Sequence, residues 1–280
     1  MKKIFILGKH RSGTTWLANC IAEVDGVYTP RVDLHHGQIE SAFFSSIVPY
    51  FSGAKSAVDR SALYAAFSKS DFFSALGVDF DEVDHQLCPE LMFEALMSAA
   101  ANAQDCDAWL EKTPAHSLLV DDLMSYYPDA QFIRVRRNIL DQTLSTCVGL
   151  KGTLNKKNLF VAAFESGIYE AVLSIKSDRL LEIAYEDLRN DFDREIHRCL
   201  DFLNMAERSF SRPSVKANSS FSSAYSQVKT APSLSVLDKV IVRFGFIFGR
   251  SFPRRLIKFA LRQRKTIFRN KLPRWMFASL

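Results

Sequence analysis

No apolar run in this chain approaches the roughly 20 residues needed to span a bilayer, so a transmembrane helix is not expected. Cys20, Cys88, Cys106, Cys147 and Cys199 are scattered, and no Cys-x-x-Cys pair occurs. A zinc site or a disulfide framework is therefore not expected, and an odd set of isolated thiols suits a reducing compartment. A secretory signal is also missing: Met1-Lys2-Lys3 runs straight into the first candidate core strand, which makes a cytoplasmic location the expectation. No internal repeat is present, and no cluster of ligand-type side chains invites a metal.

What is present is enough apolar sequence for one sizeable core, 48% of 280 residues, and an uneven distribution of charge. Residues 238–276 hold twelve of the 36 Lys and Arg but only one of the 31 acids, Asp238, so the body is mildly acidic and the tail strongly basic. The tail also interleaves aromatics, among them Phe244, Phe248, Phe252, Phe259 and Trp275.

Short apolar segments predict strands at Ile4–Leu7, Ala108–Glu111, Gln131–Val135 and Arg179–Ala184. Helical periodicity predicts helices near 14–24, 88–103, 116–126, 139–149, 157–176 and 191–203. Strands alternating with helices of this length imply an α/β protein: three layers, with a central parallel sheet flanked by helices. Ligands of such sheets bind beyond the carboxyl ends of the strands. Residues 28–85 are less regular and read as an insertion on the substrate side. Residues 206–235 are Ser-rich and read as a long loop. Two helices, about 235–249 and 254–270, are expected on either side of Pro253. The division is thus 1–205 for the catalytic domain, 206–235 for the loop and 236–280 for the basic aromatic tail.

The first strand ends at Gly8 and a helix opens at Gly13. A strand, a tight loop and a helix N-terminus build an anion cradle from loop amides and the helix dipole. The spacing Gly8-x4-Gly13 matches the glycine frame of a P-loop. Thr14-Thr15, however, stands where a kinase or ATPase carries Lys-Ser/Thr. The cation lies inside the loop instead, at Arg11.

Arg11-Ser12-Gly13-Thr14-Thr15-Trp16-Leu17 resembles the 5′-phosphosulfate loop of sulfotransferases, which use 3′-phosphoadenosine 5′-phosphosulfate (PAPS). Phe132 to Ser145 resembles that family's 3′-phosphate motif: an apolar strand ending in Arg137, with Ser145 eight residues on. Asn138-Ile139 replaces the more usual Asp-Pro. Leu180 to Leu188 is similar to the family's strand followed by Tyr-Glu-Asp-Leu, and Trp109-Leu110-Glu111-Lys112-Thr113-Pro114 is similar to a segment between the two phosphate motifs. The four stand in the family's order over residues 1–205, and the loop and the Glu-Lys-Thr-Pro segment lean toward the carbohydrate and protein-tyrosine sulfotransferase branch.

The resemblance implies a P-loop-like fold and PAPS as co-substrate, with no metal. Arg11, Ser12, Gly13, Thr14 and Thr15 would hold the 5′-phosphate and sulfuryl oxygens. Arg11 would also stabilise charge on the departing oxygen, since a guanidinium donates hydrogen bonds but does not readily give up its proton. Lys112 would steady the sulfuryl group; the bland alternative is a surface pair with Glu111. Arg137 and Ser145 would clamp the 3′-phosphate, and Tyr185 would meet the adenine or else serve the core. Lys9 reads as a solvated loop cation. An acceptor hydroxyl also needs a base. Asp33, His35, His36 and Glu40 are the candidates, and His36 is the one taken.

The implied reaction moves a sulfuryl group to a hydroxyl, or less favourably an amine, of a glycan, glycolipid or small metabolite. Two other readings compete: an ATP-dependent P-loop kinase, disfavoured by Thr14, and a non-enzymatic membrane- or polyanion-binding protein. For the tail the reading taken is two docked helices with a basic outer face, with peripheral contact to an anionic membrane in addition. Nucleic acid is disfavoured because no recognition motif accompanies the charge.

Overall fold

The computed structural model describes residues 1–31, 39–51, 53–79, 81, 83–150, 152–210 and 233–268, with the backbone alone for 262–268. In chain order the elements are β1 (Lys2–Leu7), α1 (Thr14–Ile21) and β2 (Val27–Tyr28), then a π-turn (Phe43–Ile47) that continues into α2 (Val48–Tyr50). Next come α3 (Ala57–Phe67), α4 (Asp71–Leu76), α5 (Pro89–Asn102), β3 (Ala108–Glu111) and a 3-10 turn (Pro114–Leu119) leading into α6 (Val120–Tyr126). The rest is β4 (Gln131–Arg136), α7 (Ile139–Gly149), α8 (Lys156–Leu173), β5 (Leu180–Ala184), α9 (Tyr185–Asn190), α10 (Phe192–Phe202), α11 (Val236–Arg250) and α12 (Arg254–Phe268).

The five strands form one parallel sheet in the order β2-β3-β1-β4-β5. The four expected strands are present within a residue or two. β2 adds a fifth that two residues of sequence could not announce. Side chains alternate across the central strand β1. Phe5 and Leu7 enter a cluster with Trp109, Phe132 and Phe93, while Ile4 and Ile6 enter another with Leu17, Leu110 and Ile133. Both faces of β1 are thus buried, which explains why its sequence is a continuous apolar run rather than an alternating one.

Phe5 stacks on Phe132 at 5.3 Å between ring centroids and meets the edge of Trp109 at 5.4 Å. Residues 28–85 feed the same cluster through Phe43, Tyr64, Phe67 and Phe72. Each such side chain contributes roughly 1.5–3 kcal/mol on full burial. Local signals set the helix ends. Ser56 and Ser70 cap α3 and α4 through the amides of Asp59 and Phe73, Pro89 opens α5, and Asn138 caps α7. Ser235 and Asp238 form a reciprocal capping box on α11. The expected break at Pro253 separates α11 from α12. Most of the Ser-rich segment, 211–232, lies outside the described residues.

Candidate active site

Four strands deliver the chemistry to one edge of the sheet, because β1, β3, β4 and β5 run parallel and end together. Gly8 follows β1, Lys112 follows β3, Arg137 follows β4 and Tyr185 follows β5. The loop after β1 curls through left-handed backbone at Arg11 (φ 69°) and Gly13 (φ 103°). A left-handed non-glycine residue is unfavourable by about 1–3 kcal/mol and persists only where its surroundings hold it. Here Ser12 closes the turn by donating both its hydroxyl (2.7 Å) and its amide (3.1 Å) to the carbonyl of Lys9. Ser12 therefore shapes the loop. Gly13 is the N-cap of α1 and brings no side-chain cap, so the first-turn amides of Thr14 and Thr15 have no intrahelical acceptor.

Lys9 is not the solvated cation expected from sequence. It is buried, and its ammonium donates to the carbonyl of Ala162 (2.7 Å) and the hydroxyl of Ser166 (2.9 Å), with Glu165 at 3.7 Å. It anchors the loop to α8, leaving Arg11 as the loop cation on the other side.

Arg11 lies against α7. Its Nε donates to Ser145 at 3.2 Å, and its guanidinium packs so close to Gly149 that a Cβ there would meet Nη2 at 2.9 Å. Arg137 donates to the backbone carbonyl of Arg11 at 3.1 Å. The Arg137 side chain is thus tied to the backbone of Arg11, and burial followed by repulsion from Arg137 pulls the Arg11 pKa down. The neighbouring arginines do not share this environment. Arg134 is buried against Glu170 and Glu182, and Arg136 pairs with Glu182 at 2.5 Å. Only Arg137, one residue past the strand, turns into the loop.

Tyr185 supports this arrangement from beneath. Its ring lies 4.4 Å from the Arg137 guanidinium, meets Trp16 edge-on at 5.6 Å, and packs so tightly on Gly13 that a Cβ there would approach it to 2.4 Å. Glu186 beside it accepts the amide of Asn138 at 2.9 Å, joining the end of β5 to the cap of α7.

On the other side of the loop, Lys112 is buried and donates to Glu40 at 2.9 Å. It does not pair with Glu111, because adjacent residues of an extended chain point to opposite faces. Glu111 turns inward and accepts hydrogen bonds from Ser41 (2.9 Å), Thr113 (2.6 Å) and His116 Nδ1 (3.0 Å). His116 Nε2 in turn accepts the amide of Phe44 at 3.2 Å, and Thr113 Oγ1 accepts that of Ala42. With Nε2 facing the amide of Phe44, Nδ1 is the nitrogen that faces Glu111. Burial pushes the Glu111 carboxyl up, but the interactions with His116, Thr113 and Ser41 outweigh it and leave its pKa below the usual value. The network clamps residues 41–44 to the end of β3, including the left-handed Ala42 (φ 46°), and so fixes where Glu40 stands.

His10 also belongs to this group, and sequence reasoning did not single it out. Burial pulls its pKa below 6.5 in the company of Glu40, Lys112, Lys9 and Arg11, so it sits beside the cations as an uncharged imidazole. Its position between two basic loop residues was the available signal. His36, His35 and Asp33 lie outside the described residues; of the four base candidates Glu40 is the one whose place is defined. Among the described residues no group of His, Cys, Asp and Glu is arranged to hold a metal, and the five cysteines are free thiols.

A parallel α/β sheet with a glycine-framed loop, a helix N-terminus and two arginines at its carboxyl edge defines a P-loop-like fold. Residues 3–208 match the model of the sulfotransferase family, and the chain belongs to that family. A sulfotransferase from Alicyclobacillus acidocaldarius shares the fold with a TM-score of 0.52 at 16% identity, over 98% of each chain. The sulfotransferase domain of the Synechococcus PCC 7002 olefin synthase does so with a TM-score of 0.51 at 17% identity, over 90% of this chain and 96% of that one. No curated protein matches the sequence.

Proposed function

We propose that the protein transfers a sulfuryl group from PAPS to a hydroxyl of a glycan, glycolipid or small metabolite, an amine being the less favoured acceptor. The observation that carries this reading is the convergence of Arg11, Arg137 and Ser145 on the uncapped N-terminus of α1. Like charges held near one another and partly buried are unfavourable unless an anion joins them, and a donor with phosphate at both ends supplies that anion. The residues present therefore fit the nucleotide. The donor supplies an activated sulfuryl group: its bond to the 5′-phosphate oxygen breaks, a bond to the acceptor oxygen forms, and adenosine 3′,5′-bisphosphate leaves.

The chain's own residues divide the remaining work. The amides of Gly13, Thr14 and Thr15 and the Arg11 guanidinium bind the 5′ end, where Arg11 opposes the charge that grows on the departing oxygen. Ser12 holds the loop in shape. Arg137 and Ser145 bind the 3′-phosphate, and Tyr185, itself buried, braces Arg137 and Gly13 at the adenine end of the donor. Lys112 neutralises the sulfuryl oxygens. The Glu40 carboxylate takes the proton from the acceptor hydroxyl, and His36 is the competing base on the same segment.

Calorimetry of adenosine 3′,5′-bisphosphate beside ATP-magnesium, on wild type and Arg137→Ala, tests the donor assignment. Selective binding of the bisphosphate, weakened about tenfold or more in the variant, is expected for the loss of a charge-assisted hydrogen-bonding group. Preference for ATP-magnesium would overturn it.

A further inference from the structure

The tail helices form a surface that the donor site does not use. α11 lies along α8 at backbone contact. A Cβ at Gly249 would stand 2.1 Å from the carbonyl of Phe164, one at Gly167 would stand 2.2 Å from that of Phe246, and one at Gly245 would stand 2.8 Å from that of Phe160. Gly245 and Gly249, four residues apart, face Gly167 across the contact, a small-residue spacing that brings helices together most closely. Val242, Gly245 and Gly249 are consumed by this contact. Another cluster, Cys147, Leu159, Ala162, Ala163 and Val242, ties α11 to α7 and α8, the helices that hold Ser145 and the Lys9 anchor.

The opposite face of α11 is apolar and open. Val240, Phe244, Ile247 and Phe248 recur at helical spacing, with Phe244 63% and Ile247 62% exposed. The stripe continues past the break through Phe252, Leu256 and Phe259, the last 61% exposed. Its rings form a ladder: Phe248 lies 5.5 Å from Phe252, and Phe164 of α8 lies 5.6 Å from Phe248 and 5.5 Å from Phe252. At 3.6 residues per turn, Lys239, Arg243 and Arg250 line one flank of the stripe, and all three are exposed. Arg254 and Lys258 instead pin α12 to Asp121. A contiguous exposed patch of this kind marks an interaction surface, and no helix among the described residues is long and apolar enough to cross a membrane.

We infer that α11 and α12 form a docking surface for an anionic lipid bilayer, the Phe–Ile–Leu stripe entering the interface and the flanking Lys and Arg meeting the headgroups. Charge complementarity selects this occupant. The flank of the stripe carries Lys239, Arg243 and Arg250, all exposed, so a second copy of the same surface would bring like charges together. The close glycine contact would let the surface move with α7 and α8 as one rigid block, setting the donor loop at a fixed height above the bilayer.

Flotation of the full chain with vesicles tests this, comparing neutral phosphatidylcholine with mixtures containing phosphatidylglycerol, at low and high salt. Binding should require the anionic lipid and weaken with salt. Arg243→Glu and Arg250→Glu should each lower partitioning about fivefold or more. Phe244→Ser with Ile247→Ser should abolish it. Melting temperature and adenosine 3′,5′-bisphosphate affinity should stay as in wild type, which separates failure of this inference from failure of the donor reading. Indifference to anionic lipid, or unchanged flotation of the Phe244→Ser/Ile247→Ser variant, would overturn the inference. So would a concentration-dependent dimer in lipid-free solution that the same variant abolishes.

Discussion

The ammonium of Lys112 and the carboxylate of Glu40 stand 2.9 Å apart, although 72 residues separate them in the chain. In the proposed reaction the pair belongs to the acceptor side, and each member has a separate task. Removing either should slow the chemical step and leave the donor bound. We expect Glu40→Gln to lower kcat by roughly 10²–10⁴-fold and Lys112→Met by roughly 10²–10³-fold, with bisphosphate affinity within a few-fold of wild type. Single-turnover assays with PAPS and an acceptor found by screening, alongside calorimetry, check this. Near-normal turnover of Glu40→Gln together with loss in His36→Ala would transfer the base to His36.

Gly149 offers a way to disturb Arg11 without touching it. A methyl there would lie 2.9 Å from Nη2 and 3.1 Å from Cζ of Arg11, so the flexible guanidinium end must shift. In an α-helix the change from glycine is otherwise favourable by about 1 kcal/mol. Gly149→Ala should therefore keep or raise the melting temperature while lowering kcat/KM for PAPS. Equal loss of stability and activity would place the effect in α7 instead.

Gly13 is constrained twice, by its left-handed φ of 103° and by the Tyr185 ring 2.4 Å from any Cβ. Gly13→Ala should destabilise the protein by about 2–4 kcal/mol, from backbone strain and overpacking. Adding Tyr185→Ala should return space but not backbone freedom. Urea titrations of the two single variants and the double variant should thus give partial, not full, compensation. Full compensation would mean that φ at Gly13 relaxes without strain.

The sheet was legible because β1, β3, β4 and β5 are short apolar runs with motif residues at their ends, and because a strand buried on both faces has no other way to read. β2, two residues long, carries no periodicity. The meeting of Arg11, Arg137 and Ser145, the proposed donor half, was also legible, because local spacing specifies these residues and they meet in space. The acceptor half was not. Whether Lys112 reaches Glu111 or Glu40 depends on how residues 40–44 return to β3, and that return is set by Ser41, Thr113 and His116 bonding across some seventy residues. The fate of Lys9 likewise depends on α8 crossing beneath the loop, which no local pattern encodes.

The Glu111 network should appear as a pH dependence of stability. Despite complete burial, electrostatic interaction with His116, followed by hydrogen bonds from His116, Thr113 and Ser41, holds the carboxyl below the ordinary value of 4.5. A carboxylate with a lowered native pKa binds fewer protons folded than unfolded, so its contribution is full above pH 4.5 and is lost as pH falls through the native value. His10 acts in a higher window: its native pKa lies below 6.5 because of burial, so folding disfavours its proton and stability falls as pH drops below 6.5. Denaturant unfolding from pH 8 to about pH 2 should therefore show two declines, one below pH 6.5 and one below pH 4.5. His10→Gln should flatten the upper one. Glu111→Gln should be less stable than wild type at pH 7, because the amide cannot accept from Ser41, Thr113 and His116 together, and should converge toward wild type in acid. If the two profiles instead stay parallel down to about pH 2, Glu111 is not the group that titrates.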